Sequence, residues 1–119
     1  MTIDAPHNRT ALDPVPQFIA QQVPADSAAR KAIPVYTGCF KYFPKALQAI
    51  AALSLAATAQ HHPGQPLHWD RSKSTDELDA AARHLLDAGT LDIDGQRHSA
   101  KLAWRALANL EKEIENETG

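Results

Sequence analysis

The sequence predicts an all-α protein: three main helices in a bundle completed by oligomerisation, behind a proline-rich N-terminal arm. Three observations carry that expectation. Ala103, Leu107, Leu110 and Ile114 recur at spacings of 4, 3 and 4, the period of an amphipathic helix. The one β-like run, residues 33–36, is too short to seed a sheet. Hydrophobic residues make up 44% of the 119, but 22 of them are Ala and only 12 Leu. Side chains this small bury little area, so three such helices call for another subunit.

The remaining composition excludes several classes. The net charge is −2, with no basic excess to hold a phosphate backbone, so no nucleic-acid partner is expected. The single cysteine, Cys39, rules out an intrachain disulfide and a Cys-based zinc site. The start MTIDAPHNRT lacks a basic segment followed by an apolar run, which argues against secretion. The apolar stretch 49–59 is too short to span a membrane. A cytoplasmic location is expected.

The arm comes first. Pro6, Pro14, Pro16, Pro24 and Pro34 prevent a long helix over residues 1–35, leaving short helical turns at 16–22 and 26–31. A helical domain is expected over 36–116. Its first helix covers 44–60. Pro44 suits a first helical position, and Leu47, Ile50, Leu53, Leu55 and Ala57 cover more than one face, the pattern of a helix buried on most sides. His61-His62-Pro63-Gly64 ends it. A polar loop over 61–73 follows. The second helix starts at the capping-box pattern Ser74-x-x-Glu77, shows Leu78, Ala82 and Leu85 as its apolar face, and stops at Gly89. The third begins with Asp94 as N-cap and runs to about residue 115.

Candidate chemistry gathers on the second and third helices. Asp76, Asp79 and Arg83 fall at i, i+3 and i+7, one face of a helix. This is either a solvated charged face, with Asp79 and Arg83 as an ion pair, or a carboxylate cluster for a divalent cation. Asp94 and His98 are one turn apart, and Lys101 and Arg105 continue along their edge. Two antiparallel helices would face Asp76 and Asp79 towards Asp94 and His98 across a cleft. Oxygen-rich clusters of this kind suit Mg²⁺ or Mn²⁺ with open positions for phosphate. Asp92-x-Asp94-Gly95 is no calcium loop, because the residue eleven after Asp92 is Ala103 rather than Glu. His61, His62 and His68 read as solvated. His84 points off the Arg83 face and reads as a polar contact. Trp69, among His68, Asp70 and Arg71, either stacks a base or plugs its loop onto the bundle. Trp104 reads as core, and Lys41 is a candidate phosphate contact.

The stretches KYFPKAL, HWDRSKSTDELDAAARHLLD and DIDGQRHSAKLAWRAL resemble the phage and bacterial dATP/dGTP diphosphohydrolase N-terminal domains, relatives of the MazG-type all-α nucleoside triphosphate pyrophosphohydrolases. The likeness covers about residues 30–115. Its most specific parts are Asp79-x-x-x-Arg83-His84 and Asp94-x-x-x-His98-x-x-x-x-x-Trp104. The resemblance implies an oligomeric helical enzyme, a dimer or tetramer, that splits a purine deoxynucleoside triphosphate (dNTP) into monophosphate and pyrophosphate. It implies Mg²⁺ or Mn²⁺ on Asp79 and Asp94 with His98 beside them. Asp76, Asp79 and His98 would act in catalysis. Lys41, Trp69, Arg71, Lys73, Arg83, His84, Lys101 and Arg105 would contact the nucleotide. Unlike MazG-type enzymes, the helix over 44–60 carries no carboxylate. The alternative is a non-catalytic helical interaction or nucleotide-binding protein.

Overall fold

A computed structural model describes residues 26–118. The arm over 1–25, with the turn expected at 16–22, lies outside the described residues. The described chain is all-α, with four helices and no strand. None of these helices is long and apolar enough to cross a membrane. The chain falls into two compact units that part between Ile33 and Pro34.

In the first unit, helix α1 covers Ser27–Lys31. Asp26 caps it by accepting a 2.9 Å hydrogen bond from the Ala29 amide, which satisfies one orphan donor of the first turn.

The second unit opens with a π-helical turn, Tyr36–Phe40. Helix α2 follows over Pro44–His61, with the proline at its start as expected. Its burial is not as expected. Thr58 is the only residue of α2 buried within this chain, and Leu55 is 61% exposed. Helix α3 covers Glu77–Leu86 and helix α4 His98–Thr118. Glu77 at the start of α3 meets Arg105 and Lys112 on α4, while His84 near its end meets His98 at the start of α4, so the two helices run antiparallel. The buried hydrophobic residues are all alanines: Ala80 and Ala81 on α3, Ala100 and Ala108 on α4. Trp104 ties α4 to α2 by donating its indole N–H to Ser54 Oγ at 2.9 Å.

Three expectations about α3 and α4 are corrected. The capping box at Ser74 does not form: the N-cap residue is Asp76, with no side-chain cap bond. The Glu77 carboxylate turns to α4 instead, because two cations there offer more than one backbone amide. Helix α4 begins at His98, not at Asp94. Gly95 sits at φ 83°, in the left-handed region, and turns the chain back on itself. The Asp92 amide donates to Gln96 O at 2.7 Å and the His98 amide to Thr90 O at 3.1 Å, closing a small hairpin before the helix can start. Finally, the leucine stripes face away from the chain's own core. Leu78, Leu85, Leu107 and Leu110 are all exposed. The faces turned together carry Glu77 and His84 on α3 and His98, Arg105 and Lys112 on α4, and the buried Ala80, Ala81 and Ala108 share those helical faces. Alanines let the backbones approach, and the polar residues at the two ends of the seam find partners there.

Candidate functional site

The α3–α4 hairpin builds the site from its closed end. His84 lies in the last turn of α3, two residues before that helix ends. Asp92 lies in the hairpin turn, and His98 is the first residue of α4. An antiparallel helix pair brings the end of one helix beside the start of the next. The Leu91–Arg97 bridge holds the connection, and Asp92 in it faces the Nε2 side of His98. His84 Nδ1 and His98 Nδ1 are 3.0 Å apart, and His98 Nε2 is 4.0 Å from Asp92 Oδ1. One donor atom from each of the three falls within 4.8 Å of the others.

All three side chains are half-buried. Burial, then the neighbouring charges of His98 and Lys101, holds His84 below the usual histidine range, so its neutral form is favoured. Lys101 donates to Asp92 Oδ2 at 2.7 Å and to Asp94 Oδ2 at 2.8 Å. Those bonds are the leading reason both carboxyls titrate below their ordinary values. Burial acts against the Lys101 ammonium, but the two aspartates outweigh it and raise its pKa.

His84 also forms part of the wall of a cleft of about 760 Å³ between α2, the loop after it and α4. Its polar lining includes Lys73, Asp94, Lys101 and Arg105. Both tryptophans line it as well. Trp69 meets the Trp104 ring edge-on at 5.5 Å, and the Arg71 guanidinium covers it at 4.1 Å. Of the two readings open for Trp69, the observed contacts are those of a plug that seats its loop on α4.

The expected site residues are therefore divided. His84, Asp94, Lys101, Arg105, Lys73 and Trp69 line the cleft, and His98 meets His84. Arg71 is engaged by Glu115 at 2.9 Å and by the Trp69 ring. Asp76 and Asp79 line a separate shallow hollow with Asn109. Arg83 bonds Asp76 at 3.4 Å rather than Asp79. Lys41 precedes α2 and does not line the cleft. Asp79 lies five residues before His84, about 140° around a helix, which is why it does not share the face that meets His98. The spacing around Asp92 fits no calcium loop, so that pattern does not mark it. A better signal was available: a histidine ending one helix, a histidine opening the next, and an aspartate in the turn between them.

The oxygen-rich set of Asp79, Asp94 and His98 is thus not the one the fold assembles. The group with suitable spacing is His84, Asp92 and His98, two nitrogens and one carboxylate, and its donor chemistry fits a divalent metal ion. No protein-family model, curated protein or solved structure matches the chain.

Proposed function

We propose that the cleft hydrolyses a purine deoxynucleoside triphosphate to its monophosphate and pyrophosphate, with a divalent cation held at its closed end. What supports this reading is one observation above the others. Lys101 and Arg105, one turn apart on α4, line the same cleft as His84 of the His–Asp–His group. A polyphosphate needs both kinds of partner: fixed cations for its oxygens and an anchoring ion. When bound, the ion would neutralise phosphate oxygens and polarise the phosphorus under attack.

The chain's own residues supply the rest. Arg105 uses Nη1 for Glu77 and Ser74, which leaves guanidinium donors for a phosphate. Lys101 adds charge beside Asp92 and Asp94. Among the cleft-lining carboxylates, Glu77 is consumed by Arg105 and Lys112, and Asp70 by Ser72. Asp94 is engaged too, by Lys101 on Oδ2 and the Gln96 amide on Oδ1, but it is exposed at the cleft, and in this reading a remaining lone pair of its carboxylate accepts the proton of the attacking water. Water attacks the α-phosphorus, and the bond to the bridging oxygen breaks with pyrophosphate leaving. The apolar lining, Leu53, Ala57 and Leu67, receives the base.

The test is a screen of the four dNTPs with Mn²⁺ and with Mg²⁺, scoring pyrophosphate. Release from a purine dNTP, reduced at least about a hundredfold in Arg105→Met, supports the reading. No release from any nucleotide sinks it. A second reading, a non-catalytic helical interaction protein, has its own support in the exposed leucines of α3 and α4. Under either reading we propose a second copy of this chain as the partner that covers those leucines.

A further inference from the structure

The α3–α4 hairpin ends in two imidazoles and a carboxylate whose donor atoms lie within 4.8 Å of one another. The geometry points to a first-row transition-metal site on His84, Asp92 and His98, selective for Zn²⁺, Co²⁺ or Mn²⁺ over Mg²⁺ and Ca²⁺.

Donor chemistry sets the selectivity. Mg²⁺ and Ca²⁺ take oxygen ligands, whereas imidazole nitrogen suits the later divalent ions. Two histidines with one carboxylate make a three-ligand set that leaves coordination positions open. The spacing agrees. Two ligands about 2.1 Å from one ion and at right angles to each other are about 3.0 Å apart, and His84 Nδ1 lies 3.0 Å from His98 Nδ1. Opposite ligands would be about 4.2 Å apart, and the donor atoms here lie within 4.8 Å of one another, so closing on an ion takes a movement of up to about 0.6 Å for an opposite pair and up to about 1.8 Å for an adjacent one. Asp92 is already oriented: Lys101 holds Oδ2, and Oδ1 is the oxygen towards His98. A hydrogen-bonded ligand carboxylate is the outer-shell arrangement common at metal centres. The positions are pinned by backbone rather than left to side-chain chance, since the Leu91–Arg97 bridge and the Gly95 turn fix the connection.

This deepens the hydrolase reading by naming the ion and its ligands, and binding is measured apart from turnover. The full chain is titrated with Co²⁺, followed by visible absorption, and with Zn²⁺, Mn²⁺, Mg²⁺ and Ca²⁺ by calorimetry. We expect one Co²⁺ per chain with a coordination spectrum, Zn²⁺ tighter than Mn²⁺ as the usual affinity order requires, and no heat from Mg²⁺ or Ca²⁺ at equal concentration. His84→Ala and His98→Ala each weaken Co²⁺ binding at least about a hundredfold. Asp92→Asn does so by at least about tenfold, and as a turn substitution it leaves helicity by circular dichroism unchanged. The double variant His61→Gln/His62→Gln binds as the wild type does.

Several outcomes overturn the site. One is absence of Co²⁺ and Zn²⁺ binding. Another is binding insensitive to Asp92→Asn, and a third is binding lost only in the His61/His62 variant. Metal binding without nucleotide turnover keeps the site and removes the hydrolase. Turnover with Mg²⁺ that is indifferent to Asp92→Asn does the reverse.

Discussion

Glu77 is 5% exposed and carries a charge that the fold must satisfy away from water. Arg105 and Lys112 meet its two oxygens at 2.9 and 2.8 Å. Removing one member of such a group leaves the others uncompensated, which costs about 3–5 kcal/mol for fully buried pairs. The two cations here keep 31% and 24% of their side-chain exposure, so a smaller loss is expected, on the order of 2 kcal/mol for Glu77→Ala in urea unfolding. The same contact makes stability depend on pH. Burial pushes the Glu77 carboxyl up, but the hydrogen bonds and charges of Lys112 and Arg105 outweigh it, and its pKa falls below the ordinary 4.5. As pH drops, the unfolded chain takes up this proton first. The stability that Glu77 contributes is thus complete above about 4.5 and disappears as pH falls through its lower folded value. The stability difference between wild type and Glu77→Gln should shrink on going from pH 7 to pH 3. A difference that stays constant would show that the ion pairs do not carry this residue's contribution.

The turn that closes the α3–α4 hairpin depends on one backbone position. Gly95 is left-handed, and nothing lies within 4 Å of where a Cβ would stand. The cost of Gly95→Ala is therefore backbone strain alone, about 1 kcal/mol. It falls on the turn that carries Asp92 and Asp94. A lower melting temperature is expected together with weaker Co²⁺ binding. Gly38 makes the contrast, since a Cβ there meets only Pro34 Cγ at an ordinary 3.5 Å. Gly38→Ala should leave the melting temperature within about 2 °C of wild type or raise it. Equal losses for both variants would mean that turn strain is not what places the site. At this scale the sequence was only partly legible. The existence of α2, α3 and α4 follows from Pro44, the periodic leucines and the bounding glycines. Their rotation does not. The leucines at 78, 85, 107 and 110 mark a hydrophobic face correctly, yet nothing in their spacing says whether that face meets this chain or another.

For the whole molecule, those faces decide the association state. The buried core of the described residues is four alanines, and no large side chain is fully buried. Four methyl groups contribute on the order of 3 kcal/mol, little against the entropy of ordering the helices. Leucines of α3 and α4, Leu55 of α2 and the aromatic residues Tyr36, Phe40, Tyr42 and Phe43 stay exposed. The proposed second copy would bring matching leucine faces, and closed two-fold pairing would bury both sets at once. Size-exclusion chromatography at micromolar concentration should show a dimer or tetramer rather than a 12.9 kDa monomer. Leu78→Glu with Leu107→Glu should dissociate it and lower its helicity. A stable wild-type monomer would remove the second copy as the partner.

Composition and periodicity alone determined that this chain is helical, where its helices lie within a few residues, and that its apolar side chains are too small for a self-sufficient core. Helix spacing also marked Lys101, Arg105 and His98 as residues of chemical interest, whereas His84 entered only through the family resemblance. What only the tertiary structure decided was which faces meet. Helix spacing defines a stripe but not its partner, so the leucines turned outward and the alanines inward. Asp79 then lay about 140° from His84, and Asp92 came beside His98. A metal-ligand set is a matter of a few ångströms across a turn, and the left-handed Gly95 and the Leu91–Arg97 bridge supply that closure.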